Sequence, residues 1–502
     1  MVAAGVSRAY GVPGSGATLT VIDRLERRNV PFQLVHFESS AAIMAGTAAR
    51  LGAGIGVALS IKGPGLANMV PGLAVCQLES LPVVAVVEAY GPETPIARAH
   101  KRMDHEGLIS AVAKGRRYHA KNGPRFADMA SWAEREVPGP VVLELAGPVE
   151  AEQGLPEAVP APNNYDFATA VGSAKRPVVL AGTLAVRRGW SDRLNGLSIP
   201  VFSTAAAKGV VDETLPHAAG VYTGVGLHRA PETSLLPEAD LVIGLGLRAG
   251  EVLKASAFHC PAINIDEITG EIHAGFDFEG VSKSAHEVFD ALQSHHWSDD
   301  DPARPAQRLR EHLLDAPFGP AHVFAQVEQR FDGQARLVLD TGYFCTIGEH
   351  VWRAQRPEWC LGSGQSRYMG AAVPMAVAAA LQDRGVPTVL AVGDGGIGPF
   401  AAELKIAAAH RLPLMVILLS DGGFGSVRTR AIKDGFAQDG LLIEAPSWLA
   451  AMEGLGLPGT RADDEGAVAD ALAAWRPESG PCFLEVNFDP QSYQDMVEGV
   501  RA

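Results

Sequence analysis

Two aspartates in the last third of the chain each follow an apolar run and lie among glycines. The run Pro-Thr-Val-Leu-Ala-Val leads into Gly393-Asp394-Gly395, and the run Leu-Met-Val-Ile-Leu-Leu-Ser leads into Asp421. The interval of 27 residues (421 − 394) has room for one helix and one strand, so both carboxylates are expected at the same edge of a parallel sheet. Because Mg²⁺ prefers oxygen ligands and is often shared between carboxylates and phosphates, this pattern predicts a magnesium–phosphate site.

The glycines around Asp394 suit the same site. Gly393, Gly395 and Gly396 would let backbone approach an anion, and a helix that begins after Gly395 would present free N–H groups to a phosphate. A Gly-Asp-Gly triplet by itself is more often only a tight turn between a strand and a helix. The interval to Asp421 is what favours the binding site over the simple turn.

A third acidic residue, Glu38, lies between the apolar run Phe-Gln-Leu-Val-His-Phe and a segment of small residues that is expected to be helical. A glutamate in this place is often only a neighbour of a helix N-cap. After the next apolar run comes a Gly-Pro-Gly turn at 63–65, preceded by Lys62 and followed by Asn68. The first third of the chain therefore holds a second group of residues that could do chemistry.

Short runs rich in Val, Ile, Leu and Ala recur along the chain and alternate with helix-like stretches. They are apolar on both faces, which is typical of buried parallel strands, and they are too short and too rich in β-branched residues to favour buried helices. Proline-rich stretches at 149–165 and 295–320 divide the chain into segments of about 1–150, 165–295 and 320–502. We predict an α/β protein of three doubly wound parallel-sheet domains.

Composition excludes several other classes of protein. The chain of 502 residues has a formal net charge of −15, which argues against nucleic acid as a partner because phosphate binding needs clustered Lys and Arg. Its five cysteines are scattered and favour reduced thiols over disulfides or a zinc site. We see no signal peptide and no apolar run of about 18 residues, so we expect a cytoplasmic protein that is not inserted in a membrane.

Several of these segments, taken in order, resemble the thiamine-diphosphate enzymes of the acetolactate synthase, pyruvate oxidase and benzoylformate decarboxylase group. Glu-x-x-Ala-Ala-x-Met-Ala from Glu38, then Arg50, the Gly-Pro-Gly turn and Asn68 resemble the pyrimidine-binding domain. The resemblance implies that Glu38 is the catalytic carboxyl group, which shares a proton with the pyrimidine ring and so activates the cofactor. It also implies that the Gly-Pro-Gly loop faces the substrate, which makes Lys62 and Gly63 candidate substrate contacts.

The last third resembles the diphosphate-binding domain of the same group. The segment Gly-Ser-Gly-Gln-Ser-Arg-Tyr-Met-Gly is similar to the one whose large apolar residue bends the cofactor, which implies this role for Met369 and a place near the pyrimidine amine for Gly364. The resemblance further implies that Mg²⁺ is held by Asp394, Asp421 and the backbone carbonyl of Gly423.

This chain departs from the family pattern at several places, among them Gly46, Thr47 and Ala48 of the first predicted helix, where the family usually has Glu or Asp, Gly and Tyr. The family usually has Asn where this chain has Asp421, and the extra negative charge should weaken diphosphate binding unless Arg428 or Arg430 offsets it. Lys62 stands where relatives mostly have Ser or Thr, and it is either a cation near a bound acid or a solvent-facing lysine. Arg367 replaces a family glycine and is expected to alter the pocket wall.

The middle segment resembles the central domain of these enzymes, and we expect neither FAD nor NAD there. The glycines at 244, 246 and 250 miss the spacing of a dinucleotide-binding turn. Since the family places Glu38 of one subunit against the diphosphate domain of another, the resemblance implies a homodimer or a homotetramer.

The leading hypothesis for function is a 2-oxo acid decarboxylase that depends on thiamine diphosphate and Mg²⁺. A carboligase of the acetolactate synthase kind is the close alternative, and a degenerate subunit without catalysis is the third. Decarboxylases often use active-site histidines for proton transfer, and the candidates here are His36, His100 and His105. The sequence does not identify the 2-oxo acid or the acceptor.

Overall fold

The fold contains three six-stranded parallel sheets, one inside each of the three predicted segments. The computed structural model describes residues 1–91, 94–118, 125–145, 159–161, 165–269, 275–297, 301–443 and 446–500. The predicted α/β architecture of three parallel-sheet domains is confirmed. Across the described parts of the chain, no helix combines the length and the apolar character needed to cross a bilayer.

The first domain has the strand order β2-β1-β3-β4-β6-β5. Its strands are β1 Ala9–Gly11, β2 Phe32–Leu34, β3 Gly56–Ser60, β4 Val83–Glu88, β5 Gly115–Tyr118 and β6 Pro140–Leu145, and its helices are α1 Ala17–Glu26, α2 Glu38–Arg50, α3 Pro64–Leu78, α4 His105–Ile109 and α5 Phe126–Glu134. The chain passes from β2 through α2 to β3 on the other side of β1. Ligands of open parallel sheets commonly bind at such a point, beyond the carboxyl ends of the strands.

The middle domain has the order β10-β9-β8-β11-β12-β14 and a small antiparallel pair, β7 with β13. Its strands are β7 Val159–Pro160, β8 Pro177–Ala181, β9 Val201–Ser203, β10 Ala218–Val221, β11 Leu241–Leu245, β12 Ala262–Ile265, β13 Ile268–Thr269 and β14 Gly280–Ser282. Its helices are α6 Phe167–Ser173, α7 Thr183–Arg187, α8 Ser191–Asn195, α9 Glu232–Leu235 and α10 His286–Leu292. Strands β8 and β11 are buried along their whole length, as the continuous apolar runs predict.

The third domain has the order β16-β15-β17-β18-β20-β19. Its strands are β15 Arg336–Leu339, β16 Cys360–Gly362, β17 Thr388–Gly393, β18 Leu414–Ser420, β19 Gly459–Ala462 and β20 Cys482–Asn487. Its helices are α11 Arg304–Leu314, α12 Pro320–Phe331, α13 Tyr343–Val351, α14 Ala372–Gln382, α15 Asp394–Ile397, α16 Leu404–His410, α17 Gly425–Asp434, α18 Leu449–Gly454, α19 Glu465–Ala474 and α20 Ser492–Val497. Strands β17 and β18 are direct neighbours, with Gly393 opposite Leu419.

The first and third domains share one hydrophobic core, in which α2 packs against α14. Both helices consist largely of alanine and other small residues, and nearly every residue of each is buried. Small side chains let helices approach closely and remain enclosed on all sides. Close approach is also visible where α3 meets α2, since a Cβ on Gly72 would lie 2.3 Å from the backbone oxygen of Ser39.

The two predicted linkers differ in character. Most of 149–165 lies outside the described residues, which there include only β7, Ala161 and Tyr165. Within 295–320 the chain forms α11, whose Leu309 and Leu313 are buried in a core of the third domain. This stretch therefore contributes a packed helix, which its prolines and acidic residues did not indicate.

Candidate active site

Glu38 lies at the first position of α2, directly after β2 and the connecting residues 35–37. Its side chain is only 7% exposed. The Nδ2 of Asn68 donates to the Glu38 carboxylate over 3.1 Å. A Cβ on Gly65 would lie 2.4 Å from Ser60 Oγ and 3.3 Å from Glu38 Oε1, so a larger residue there would displace the Ser60 hydroxyl and crowd the carboxylate. A buried carboxyl group oriented by a neighbouring amide is suited to sharing a proton with a ligand.

The predicted substrate contacts lie around the Gly-Pro-Gly turn of the first domain, where Gly63 has a φ of 62°. Lys62 Nζ binds Glu88 Oε2 over 3.2 Å and lies 5.0 Å from the ring centroid of Tyr90. This lysine is thus held at the carboxyl edge of the sheet, and its side chain is 24% exposed. A cavity of about 250 Å³ opens beside it, and its wall includes Lys62, Tyr90, Arg102, His105, Arg116 and Glu144.

Of the histidine candidates, His105 lies behind the turn and supports it. Its Nε2 accepts from the backbone N–H of Gly63 over 2.9 Å, and its Nδ1 is 2.6 Å from Glu144 Oε1. Both ring nitrogens are therefore in use, with the Nδ1 proton directed to the carboxylate. His36 is held by Glu403 over 3.2 Å, and His100 is exposed.

In the third domain, Asp394 and Asp421 come together as the sequence predicts. Asp394 opens α15 after β17, and its carboxylate accepts from Ser420 Oγ (2.8 Å) and from the backbone N–H groups of Asp421 (2.9 Å) and Gly422 (3.0 Å). Burial and the neighbouring Asp394 charge raise the pKa of Asp421 to about 7. The carboxylate of Asp421 therefore lacks a sufficient counter-charge in the protein alone.

Of the two arginines expected to offset this charge, Arg428 acts on Asp421, whereas Arg430 is paired with Asp434. The Arg428 charge lowers the pKa of Asp421, although less than burial and Asp394 raise it. Arg430 forms an ion pair with Asp434 on the exposed face of α17. A divalent cation between Asp394 and Asp421 would supply the missing positive charge.

The residues present fit a magnesium ion shared with a diphosphate. Among the described residues, no cluster of three or more His, Cys, Asp or Glu side chains could enclose a metal alone. Two carboxylates, with the Gly423 carbonyl as the predicted third ligand, would leave coordination positions for phosphate oxygens and water. Gly425 is required beside them, because a Cβ there would lie 2.0 Å from Asp421 Oδ2.

A cleft of about 220 Å³ lies over these carboxylates. Met369 and Phe424 form its apolar side, and each is 39% exposed, which is unusual for such large apolar residues. A Cβ on Gly395 would lie 2.7 Å from Phe424 and 2.9 Å from the sulfur of Met369. The cleft thus combines a carboxylate end with an apolar wall, and Gly393, Gly395, Gly396 and Gly423 also line it.

Asp340 is a residue of this site that the sequence analysis missed. It follows β15, and both carboxylate oxygens accept from the backbone N–H of Gly370, over 2.8 and 2.9 Å. Burial raises its pKa to about 7. Asp340 thereby fixes the position of Gly370, the residue after Met369. The sequence pattern that could have indicated it is Asp-Thr-Gly at the end of an apolar run.

Two predicted residues lie elsewhere in the structure. Gly364 packs on Ala206 of the middle domain, since a Cβ there would lie 3.0 Å from the Ala206 Cα, and it does not line the cleft. Arg367 donates to Glu349 over 2.7 Å and does not line the cleft either, so the expected change to the pocket wall is not seen within one chain.

Within one chain, the Glu38 group and the Asp394 group remain distinct. Among the described residues, no hydrogen bond or ion pair joins the Glu38 carboxylate to a residue of the cleft. The predicted meeting of these groups across a subunit boundary stays a prediction.

Comparison with known proteins gives three consecutive family matches. Residues 1–104 match the N-terminal TPP binding domain of thiamine pyrophosphate enzymes, residues 166–292 match the central domain, and residues 340–486 match the C-terminal TPP binding domain.

Several relatives match most of the chain. The acetolactate synthase of Mycobacterium bovis is 26% identical over 93% of this chain and 83% of its own length. The acetolactate synthase of Bacillus subtilis is 24% identical over 99% and 92%, and the acetolactate synthase isozyme 3 large subunit of Escherichia coli is 25% identical over 84% and 81%. The domain order, the two groups of residues and these matches agree, and the chain belongs to the thiamine-diphosphate-dependent enzymes of the acetolactate synthase and pyruvate oxidase family.

Proposed function

We propose that this protein is a carboligase that depends on thiamine diphosphate and Mg²⁺. In this reaction a 2-oxo acid donor loses its carboxylate as CO₂, and its acyl group is joined to the carbonyl carbon of an acceptor. The proposal reverses the order of our sequence-based hypotheses, in which the decarboxylase came first. Its main support is that the relatives reported above are acetolactate synthases and that the match covers 81% to 92% of their own length.

The engaged histidines also favour transfer to an acceptor over release of an aldehyde. Release requires a proton donor near the acyl carbon, and decarboxylases often use histidines for it. Both ring nitrogens of His105 are hydrogen-bonded, one to Gly63 and the other to Glu144, and Nδ1 of His36 is bound by Glu403. Without proton donation from His105, the acyl group would stay available to a second carbonyl compound.

When bound, thiamine diphosphate supplies the carbon that attacks the keto group and the ring that takes up the electron pair as CO₂ leaves. The protein's own residues orient the cofactor and supply the charged groups around it. Glu38, oriented by Asn68, would hold a proton at the pyrimidine ring. Asp394 and Asp421 would hold Mg²⁺ at the diphosphate, and Met369 would form the apolar support between the two ends.

A decarboxylase is the second candidate, and Lys62 is the observation in its favour. An ammonium group beside the Gly-Pro-Gly turn could bind the substrate carboxylate or donate a proton to the product. Its ion pair with Glu88 holds Lys62 in place.

We propose that the working form is at least a homodimer. Phe424, Val427, Ile432 and Phe436, next to the cleft, are apolar and are 39%, 51%, 40% and 65% exposed. Covering them with the first domain of a second chain would bring a Glu38 to the cleft. Sedimentation velocity at micromolar concentration tests this, and a monomer that is active at that concentration contradicts it.

Product analysis distinguishes the candidate reactions. The protein is incubated with thiamine diphosphate, Mg²⁺ and 2-oxo acids labelled with ¹³C at the carboxylate and at the keto carbon. A carboligase yields ¹³CO₂ together with a 2-hydroxy-ketone or an acetohydroxy acid in the NMR spectrum, whereas a decarboxylase yields ¹³CO₂ and free aldehyde. No ¹³CO₂ from any substrate, together with no cofactor binding by calorimetry, would support the degenerate subunit instead.

A further inference from the structure

We propose that Glu403 and Glu79 are positioning residues that form a reciprocal clasp between the two cofactor-binding domains of one chain. Each glutamate comes from one domain and holds the backbone just before the cofactor-contacting residue of the other. The inference rests on the proposed cofactor site and adds to it two residues that do not touch the cofactor themselves.

Glu403 belongs to the third domain, immediately before α16, and it holds the loop that carries Glu38. Its carboxylate accepts from the backbone N–H of His36 (3.1 and 3.2 Å) and of Phe37 (3.1 Å), and it binds His36 Nδ1 over 3.2 Å. The side chain is 1% exposed. Helix α2 has no side-chain cap of its own at Phe37, so this carboxylate from another domain fixes its start.

Glu79 belongs to the first domain, at the end of α3, and it holds the loop that leads to Met369. Its carboxylate accepts from the backbone N–H of Gln365 (3.2 Å) and from the N–H and Oγ of Ser366 (both 2.7 Å). Burial raises the pKa of Glu79, while these hydrogen bonds and the charge of Arg50 oppose that rise. The donors to this carboxylate all come from the loop that Glu79 positions.

The two arrangements correspond to each other across the shared core. Helix α3 begins at the Gly-Pro-Gly turn beside Glu38 and ends at Glu79, while the segment that begins at Asp394 leads to Glu403. Hydrogen bonds from N–H groups to a buried carboxylate are stronger than neutral ones and are costly to leave unmade. Each cofactor-contacting loop therefore keeps its place only while the two domains stay in contact.

The clasp is needed because a catalytic carboxyl group must be placed accurately. A displacement of about 1 Å can lower a reaction rate by roughly a hundredfold. Removing an acceptor at Glu403 should move Glu38 and slow activation of the cofactor, with little effect on its tethering by Asp394 and Asp421. Removing the acceptor at Glu79 should instead disturb Met369 and weaken cofactor binding.

Hydrogen–deuterium exchange at C2 of bound thiamine diphosphate, followed by NMR after acid quench, tests this inference together with calorimetry of cofactor binding. For Glu403→Gln we expect exchange to slow by about tenfold or more and the cofactor Kd to change by less than about threefold. For Glu79→Leu, which removes both acceptor oxygens, we expect the cofactor Kd to rise by more than it does in Glu403→Gln. The matched control is Glu328→Gln, which removes a buried carboxylate of the third domain whose hydrogen-bond partners within the described part of the chain are Arg310 and Arg353.

Wild-type exchange in folded Glu403→Gln overturns the inference, and so does an equal loss in the Glu328→Gln control. If Glu403→Gln does not fold, Glu403→Asp retains the charge and withdraws it by one methylene; this variant must slow exchange while the Kd holds, and normal exchange in it overturns the inference. Failure of the proposed function is distinguishable, because then the wild-type protein itself would exchange no faster than free cofactor.

Discussion

Asp421 lies beside Asp394 at the ends of two neighbouring strands, and this proximity, together with burial, raises the pKa of Asp421 to about 7. The protein thus holds two carboxylates in a place where one of them is only partly ionised at neutral pH. If Mg²⁺ binds at Asp421 as proposed, it would bind the ionised carboxylate, and metal binding would then be coupled to proton loss from Asp421.

The first prediction concerns Asp421→Asn. In the wild-type protein, Mg²⁺-dependent binding of thiamine diphosphate should weaken as the pH falls below about 7, by at most about tenfold per pH unit, because a proton then competes for the carboxylate. In Asp421→Asn this dependence should vanish between pH 6 and 8, and binding at pH 8 should be as tight or tighter, since the amide does not repel the diphosphate. Calorimetry at three pH values measures both effects.

The control for that substitution is Asp434→Asn, which removes an aspartate paired with Arg430 on the outer face of the same region. It should leave the pH dependence unchanged. An Asp421→Asn protein with the wild-type pH profile would show that another group titrates with the metal.

The second prediction concerns Gly396→Ala. A Cβ at this position would lie 1.9 Å from Asp340 Oδ2, so the loop or the buried aspartate must move. We expect a loss of about 1–3 kcal/mol in the free energy of unfolding, as for other overpacked sites, and weaker binding of the cofactor. Denaturant unfolding and calorimetry are the measurements.

Gly398, two positions after Gly396, provides a matched comparison. A Cβ at this position would have no neighbouring atom within 4 Å, so Gly398→Ala should change neither the free energy of unfolding nor cofactor binding appreciably. Equal effects of the two alanines would contradict the close contact between Gly396 and Asp340.

The third prediction concerns Glu38→Gln. The amide cannot share a proton in the manner of a carboxyl group, so C2 exchange of bound cofactor should fall by about two orders of magnitude or more. Thermal unfolding should be nearly unchanged, since the side chain keeps its shape. Asn68→Ala, which removes the donor to Glu38, should give a smaller reduction of the same rate, and normal exchange in Glu38→Gln would mean that another carboxyl group activates the cofactor.

The fourth prediction concerns Lys62→Met. If the ammonium group binds the substrate carboxylate, the KM for a 2-oxo acid should rise by about tenfold, since one charge-assisted hydrogen bond is lost, while C2 exchange stays at the wild-type rate. Steady-state kinetics with the best substrate of the panel measures the change. Lys175→Met, at an exposed lysine of the middle domain, is the control, and an unchanged KM in Lys62→Met would indicate that Lys62 only supports Glu88 and Tyr90.

The sequence predicts those parts of this molecule that depend on helices and strands adjacent to each other along the chain. Buried apolar runs indicated the three sheets, and the interval between Asp394 and Asp421 placed both at one sheet edge because one helix joins adjacent parallel strands. The contact of Glu403 with His36 spans 367 residues and depends on how two domains pack, which no local pattern encodes. Asp340 was missed for a related reason, since its role depends on Gly370, 30 residues away.

The packing of α2 on α14 has a consequence for engineering. The alanines of these two helices fit each other in one shared core, whereas the middle domain has a core of its own. Chimeras that import the middle domain from a relative therefore leave the shared core intact and need to match only its contacts with the outer domains, such as Arg248 with Glu136. Exchange of the first domain alone would pair an α2 and an α14 surface from two different proteins. The first and third domains should therefore be exchanged together.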